Sequence, residues 1–136
     1  MGMPVLTKLD QLIELMAMDL PLFLRYSPGP EADVAHPSVD HESGLQMPGH
    51  SANPLRPPSW WTLPTEDWMA RRICQYLRKL DEGARPWVLT GEVTSHGPDN
   101  EPLLVNVTPV AWLGDELLAE AHQRYTERMN AGKSSA

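Results

Sequence analysis

The chain has 136 residues, enough for one domain with a real core, and its single cysteine, Cys74, excludes an internal disulfide or a cysteine-only metal cluster. Eleven Lys and Arg stand against eighteen Asp and Glu, a formal charge of −7, which leaves no basic face for nucleic-acid phosphate. No apolar run approaches the roughly 18 residues of a spanning helix, and no signal peptide is evident, so a cytoplasmic protein away from membranes is expected.

The chain opens on a helix over 7–19. Thr7 is placed to cap it with Asp10 in the capping-box position, and Leu9, Leu12, Ile13 and Met16 share one face. Leu20-Pro21 ends it, and LFLRYS (22–27) reads as a strand with Phe23 and Arg25 on one side and Leu22, Leu24 and Tyr26 on the other. An arginine inside a short apolar strand is costly to bury alone. Arg25 therefore belongs either on a solvated edge or in a site where its planar fork holds an anion.

The fourteen prolines concentrate between 28 and 64, which predicts a long irregular middle section. Residues 28–41 read as a loop. His36, Asp40 and His41, with His50 nearby, are metal-capable types, but no ligand spacing links them and no metal site is expected. Leu45 and Met47 alternate with Gly44 and Gln46 as a short strand that ends near Ser51 and Asn53. In the proline-rich loop 54–64, Trp60-Trp61 reads as a lid packed on the core.

A strong helix follows over 65–80, with Thr65 as its cap and Glu66 and Asp67 in its first turn. Its stripe is Trp68, Ile73, Tyr76, Leu77 and Leu80, Cys74 reads as a small buried hydrophobe, and Arg71, Arg72, Arg78 and Lys79 read as the solvated face. The stretch 86–113 organises the rest: two strand-forming runs joined by Ser95–Pro102, whose Gly, Pro, Asp and Asn residues suit a wide turn. Its tip carries His96, Asp99 and Glu101, as a plain solvated turn or as the rim of a pocket. Asp115 caps a last helix, and the termini, 1–5 and 130–136, are expected to fray. The sum is a single α+β domain over 1–136, with a mixed or antiparallel sheet and about three helices.

No Gly-x-Ser-x-Gly elbow, P-loop or His-Glu-x-x-His motif is present. Three readings stay open. A non-catalytic binding or regulatory domain, with no cofactor, would take a small molecule or a protein partner in a pocket lined by Arg25, Tyr26, Ser51, Trp60, Trp61 and the 96–101 loop with His96. A structural protein would use Trp60, Trp61 and Trp112 as an apolar patch for homodimerisation. The third is an enzyme and follows from a resemblance.

At RYSPGPEAD (25–33), ESGLQMPG and SANP (42–54), EDWMARRICQY (66–76), WVLTGEV (87–93), GPDNEPLL (97–104) and PVAWL (109–113), the chain resembles a family of small uncharacterised actinobacterial proteins, a domain of unknown function. In the order of its elements it is also similar to the small ADP-ribosyltransferase fold of the rifamycin-modifying transferases. That resemblance implies NAD as cofactor, with Arg25 orienting it, Ser51 at the second-strand serine, and Glu101 or Asp99 as the catalytic carboxylate. The chain departs from that pattern, since no His-Gly-Thr follows the first strand.

Overall fold

The computed structural model describes residues 2–35 and 38–129, so His36 and the tail 130–136 lie outside the described residues. Among these the chain runs β1 (Val5–Leu6), α1 (Leu9–Ala17), β2 (Phe23–Ser27), α2 (Pro30–Ala35), β3 (His50–Ser51), β4 (Asn53–Pro54), α3 (Thr65–Cys74), a 3-10 stretch (Leu77–Glu82), β5 (Arg85–His96), β6 (Pro102–Leu113) and α4 (Asp115–Arg128).

Local chemistry accounts for the boundaries, including those that differ from the sequence reading. The first helix is capped by Gln11 rather than by Thr7 and Asp10: its side-chain oxygen accepts from the backbone N–H of Thr7 at 2.6 Å and of Lys8 at 3.1 Å. Thr65 and Asp115 are the first helical residues of α3 and α4, with Pro64 and Gly114 at the caps. α3 ends at Cys74, and a separate 3-10 stretch closes on Gly83, whose φ of 85° suits a residue without Cβ. Within the supposed loop 28–41 there is a helix, α2. Pro30 supplies the fixed φ of a first helical position, and Glu31 and Asp33 lie in the first turn, where the helix dipole favours them. The strand expected at Leu45–Met47 is a single bridge, Val39 to Gln46. Asp40 accepts from the N–H groups of Glu42 and Ser43 and makes this segment a turn.

The sheet is mixed. β5 pairs antiparallel with β6 and with β2, and β1 pairs parallel with β6, Val5 opposite Trp112. β3 and β4 are one extended segment interrupted only by Ala52. Its first half pairs with β6, His50 opposite Leu104, and its second half pairs with β2, Phe23 opposite Pro54. The pairings therefore close into a small ring of β2, β5, β6 and residues 50–54. Register shifts in β5 and β6 and the positive φ of Asn106, 53°, provide the curvature a closed ring needs.

Each strand then has a face toward the helices and a face toward the ring interior. On the helical side, α1, α3 and α4 bury Leu9, Leu12, Met69, Ile73, Leu117 and Ala121 against Leu24, Val88 and Leu113 of the sheet. On the inner side a smaller cluster holds Phe23, Ala52, Trp87, Leu89 and Leu104. A fully buried leucine contributes about 2 kcal/mol, so the helical side carries most of the apolar stabilisation. The fold is the expected single α+β domain with a mixed sheet, and α2 is the helix the sequence reading lacked.

Candidate functional site

Alternation in β2 sends Phe23, Arg25 and Ser27 to the inner side and Leu24 and Tyr26 to the helical side. Arg25 is thus nearly enclosed, with its side chain 12% exposed, and its donors are used inside the molecule. Nε donates to Asp33 Oδ2 at 2.6 Å, Nη1 to the Ser51 carbonyl at 2.6 Å and Ser51 Oγ at 3.2 Å, and Nη2 to Ser38 Oγ at 3.4 Å. The Ser27 hydroxyl donates to the same Asp33 oxygen at 2.8 Å and accepts from Trp87 Nε1 at 2.9 Å and from the Gly29 N–H at 3.1 Å. This network ties α2, Ser38 and β3 to the ring. Beside it, His50 Nδ1 is buried and finds no partner among the described residues. Burial holds the His50 pKa below its ordinary value, Arg25 lowers it further, and Asp33 opposes them.

The other expected site residues are spread over different surfaces. Tyr26 lies on the helical side, where its hydroxyl donates to the Ile73 carbonyl at 2.7 Å, and burial pushes its phenol well above the usual range. Asp99 is exposed at the hairpin tip, and its N–H donates to Glu101 at 3.0 Å, so Glu101 serves to close the turn with Asn100 at a φ of 64°. His96 borders a shallow groove of about 220 Å³ with Asp40, Ser43, Met47 and Leu103. Arg25 is not part of its wall. The links are indirect: Ser51, which accepts from Arg25, is the strand partner of Leu103, and Ser38, which also accepts from Arg25, accepts from the Met47 N–H at its carbonyl.

Trp60 and Trp61 pack against Trp68 rather than forming a lid on the core, and neither lines a described cavity with Arg25. Trp60 is 68% exposed, and both rings meet Trp68 of α3 edge-on, with centroids 6.2 Å and 5.1 Å away. The loop that carries them is held by Trp61, whose backbone N–H donates to the Pro58 carbonyl and whose Nε1 donates to the Pro64 carbonyl. One turn further along α3, the guanidinium groups of Arg71 and Arg72 lie 5.8 Å and 5.2 Å from the Trp68 ring centre. Arg72 is steadied by the Pro54 carbonyl at 3.2 Å and Gln75 at 3.0 Å. Its pKa is lowered mainly by burial, yet a guanidinium stays charged.

A cavity of about 100 Å³ is lined by Trp68, Arg71, Arg72 and Gln75. Trp68 Nε1 is buried without an acceptor among the described residues. The ion pairs found there join Arg25 to Asp33 and Arg124 to Glu66 and Asp67, so neither Arg71 nor Arg72 has a carboxylate partner. The sequence pattern puts Trp68 in the apolar stripe and Arg71 and Arg72 on the solvated face. The signal was the spacing Trp-x-x-Arg-Arg, which places i, i+3 and i+4 side by side on a helix.

The model for DUF6098, a family of unknown function, matches residues 1–135. The chain belongs to the DUF6098 family. No curated protein and no solved structure matches it.

In this DUF6098 chain the polar constellations differ in what they can do. The Arg25 network is internally neutralised by Asp33. Cys74 is half-buried and burial pushes its thiol up to about 11, so little thiolate forms near neutral pH. Among the described residues, no His, Cys, Asp or Glu grouping of three or more could hold a metal, and no helix is long and apolar enough to cross a membrane. The tryptophan–arginine face of α3 offers the exposed Trp60 ring, the half-buried Trp61 and Trp68 rings, and two cations with no carboxylate partner among the described residues.

Proposed function

We propose that this DUF6098 chain is a small non-catalytic binding domain whose ligand face is formed by Trp60, Trp61, Trp68, Arg71 and Arg72. One observation carries the reading. In a chain with a formal charge of −7, two neighbouring guanidinium groups lie over the half-buried Trp68 ring, beside the exposed Trp60, and face no carboxylate among the described residues. A guanidinium stacked on a ring keeps its N–H edge free to donate to a carboxylate or phosphate, while the rings take an apolar or aromatic group. The anion-binding role that the sequence suggested for Arg25 thus moves to Arg71 and Arg72. Arg25, Ser51 and Tyr26 serve as framework that holds the ring and α3 in place.

A nicotinamide-dinucleotide enzyme built on Arg25 and on Glu101 or Asp99 is less well supported. Arg25 would have to leave Asp33, and both acids belong to the turn at the hairpin tip. The reading is tested by a thermal-shift screen of ATP, NAD and carboxylate metabolites against the full chain. A ligand that binds only the folded state raises its melting temperature by mass action. The expected result is a shift with an anionic ligand that Arg71→Ala and Trp60→Ala both abolish. A shift that survives both changes would overturn it.

A further inference from the structure

We infer that the occupant of the tryptophan–arginine face is an extended segment of a protein partner, one that brings an aspartate or glutamate side chain flanked by apolar residues. The inference rests on the ligand face proposed above and names what fills it.

Size is the first argument. The cavity between Trp68, Arg71, Arg72 and Gln75 holds about 100 Å³. Small-molecule and cofactor sites usually run to roughly 300–1,000 Å³, so this one admits the end of a single side chain rather than a nucleotide. Charge is the second. Two guanidinium groups flank the cavity with no carboxylate partner among the described residues, so a carboxylate entering there meets two positive charges, with Arg72 already bonded through Nε and Nη1 to Pro54 and Gln75.

The rim is the third argument. Trp60 is 68% exposed and Leu63 is 54% exposed, so apolar surface continues from the cavity along the loop. The loop is stiffened by Pro57, Pro58 and Pro64 and by the two hydrogen bonds of Trp61. A face already rigid loses less entropy when a flexible segment lies down on it. The chain's own charge of −7 works against a highly acidic partner and against a second copy, both of which it would repel at long range. The fitting ligand therefore carries one or two carboxylates among apolar neighbours.

The test is a random twelve-residue peptide library displayed on phage, selected on the full chain and counter-selected on Arg71→Glu. Arg71 is exposed and its side chain lies over the Trp68 ring without a hydrogen bond or ion pair among the described residues, so this variant keeps the fold, which an unchanged melting temperature verifies. The expected result is enrichment of peptides with an Asp or Glu beside apolar residues. Synthesised, they bind about tenfold more weakly to Arg71→Glu, and their Gln or Asn versions bind the unchanged protein more weakly by a similar factor. Enrichment of peptides without an acid, or no enrichment, overturns the inference. So does self-association in sedimentation that Trp60→Ala abolishes, because a second copy then covers the face. Quenching of tryptophan fluorescence by ATP or inorganic phosphate, lost in Arg71→Glu, separates the two levels. If it occurs while no peptide is selected, the peptide occupant fails and the binding face stands; if neither occurs, both fail.

Discussion

Arg25 Nε lies 2.6 Å from Asp33 Oδ2, and this contact joins a strand of the closed ring to a helix that local sequence alone did not announce. The pair sits with side chains only 12% and 8% exposed, and Ser27 and Ser51 occupy the neighbouring hydrogen-bond positions. Removing one member of such a pair leaves a charge buried without its partner.

Arg25→Ala should therefore destabilise the protein by about 3 kcal/mol in urea unfolding. Arg25→Lys should lose most of the same amount, because one ammonium cannot reach Asp33 and Ser51 in two directions. An apolar double replacement, Arg25→Met with Asp33→Leu, should recover a large part. Equal losses in the single and double variants would contradict the pairing.

His50 gives a pH dependence. Its folded pKa lies below the ordinary 6.5, chiefly through burial and then through Arg25. The unfolded chain therefore binds this proton more readily, so the stabilisation is complete above about 6.5 and is lost as pH falls toward the folded pKa. The melting temperature of the native protein should drop between pH 7.5 and pH 5 by more than that of His50→Gln. Parallel curves for the two proteins would show that His50 is not the group involved.

Gly49 lets residues 50–54 close the ring. A Cβ there would stand 2.8 Å from the Leu104 carbonyl oxygen, and backbone cannot swing away as a side chain can. Gly49→Ala should cost about 2 kcal/mol and speed hydrogen exchange at Leu104 and Ala52. Unchanged exchange at both amides would argue against the closure.

Cys74 should resist alkylation. With its thiol pushed up to about 11, roughly one molecule in a thousand is thiolate at pH 8. Iodoacetamide labelling of the folded protein should be far slower than that of the protein in urea, and equal rates would refute the burial.

How much of this was legible in the sequence depends on whether the deciding contact was local. The hairpin of β5 and β6 and the face alternation of Phe23, Arg25, Leu24 and Tyr26 follow from side-chain periodicity, and they stand. The role of Arg25 did not follow, because Asp33 lies on a helix whose Pro30 start was masked by the surrounding prolines. The closure through residues 50–54 depends on two pairings with distant strands, which no local pattern records. Trp60 and Trp61 stand out in the sequence as adjacent tryptophans, whereas Trp68, Arg71 and Arg72, which pack beside them, read as an ordinary stripe and an ordinary charged face. Only the fold of the 54–64 loop back onto α3 brings them together.

The most direct measurement uses the five tryptophans as reporters. Trp60, Trp61 and Trp68 mark the α3 face, whereas the Trp87 indole donates to Ser27 inside the Arg25 network and Trp112 packs under Arg85. Their indole N–H signals, assigned in a proton–nitrogen correlation spectrum, should be followed while a peptide selected on the full chain, or ATP, is added. The account requires the signals of Trp60, Trp61 and Trp68 to move while those of Trp87 and Trp112 stay fixed. Movement of Trp87 and Trp112 with the other three unchanged would place the site at Arg25 and contradict it.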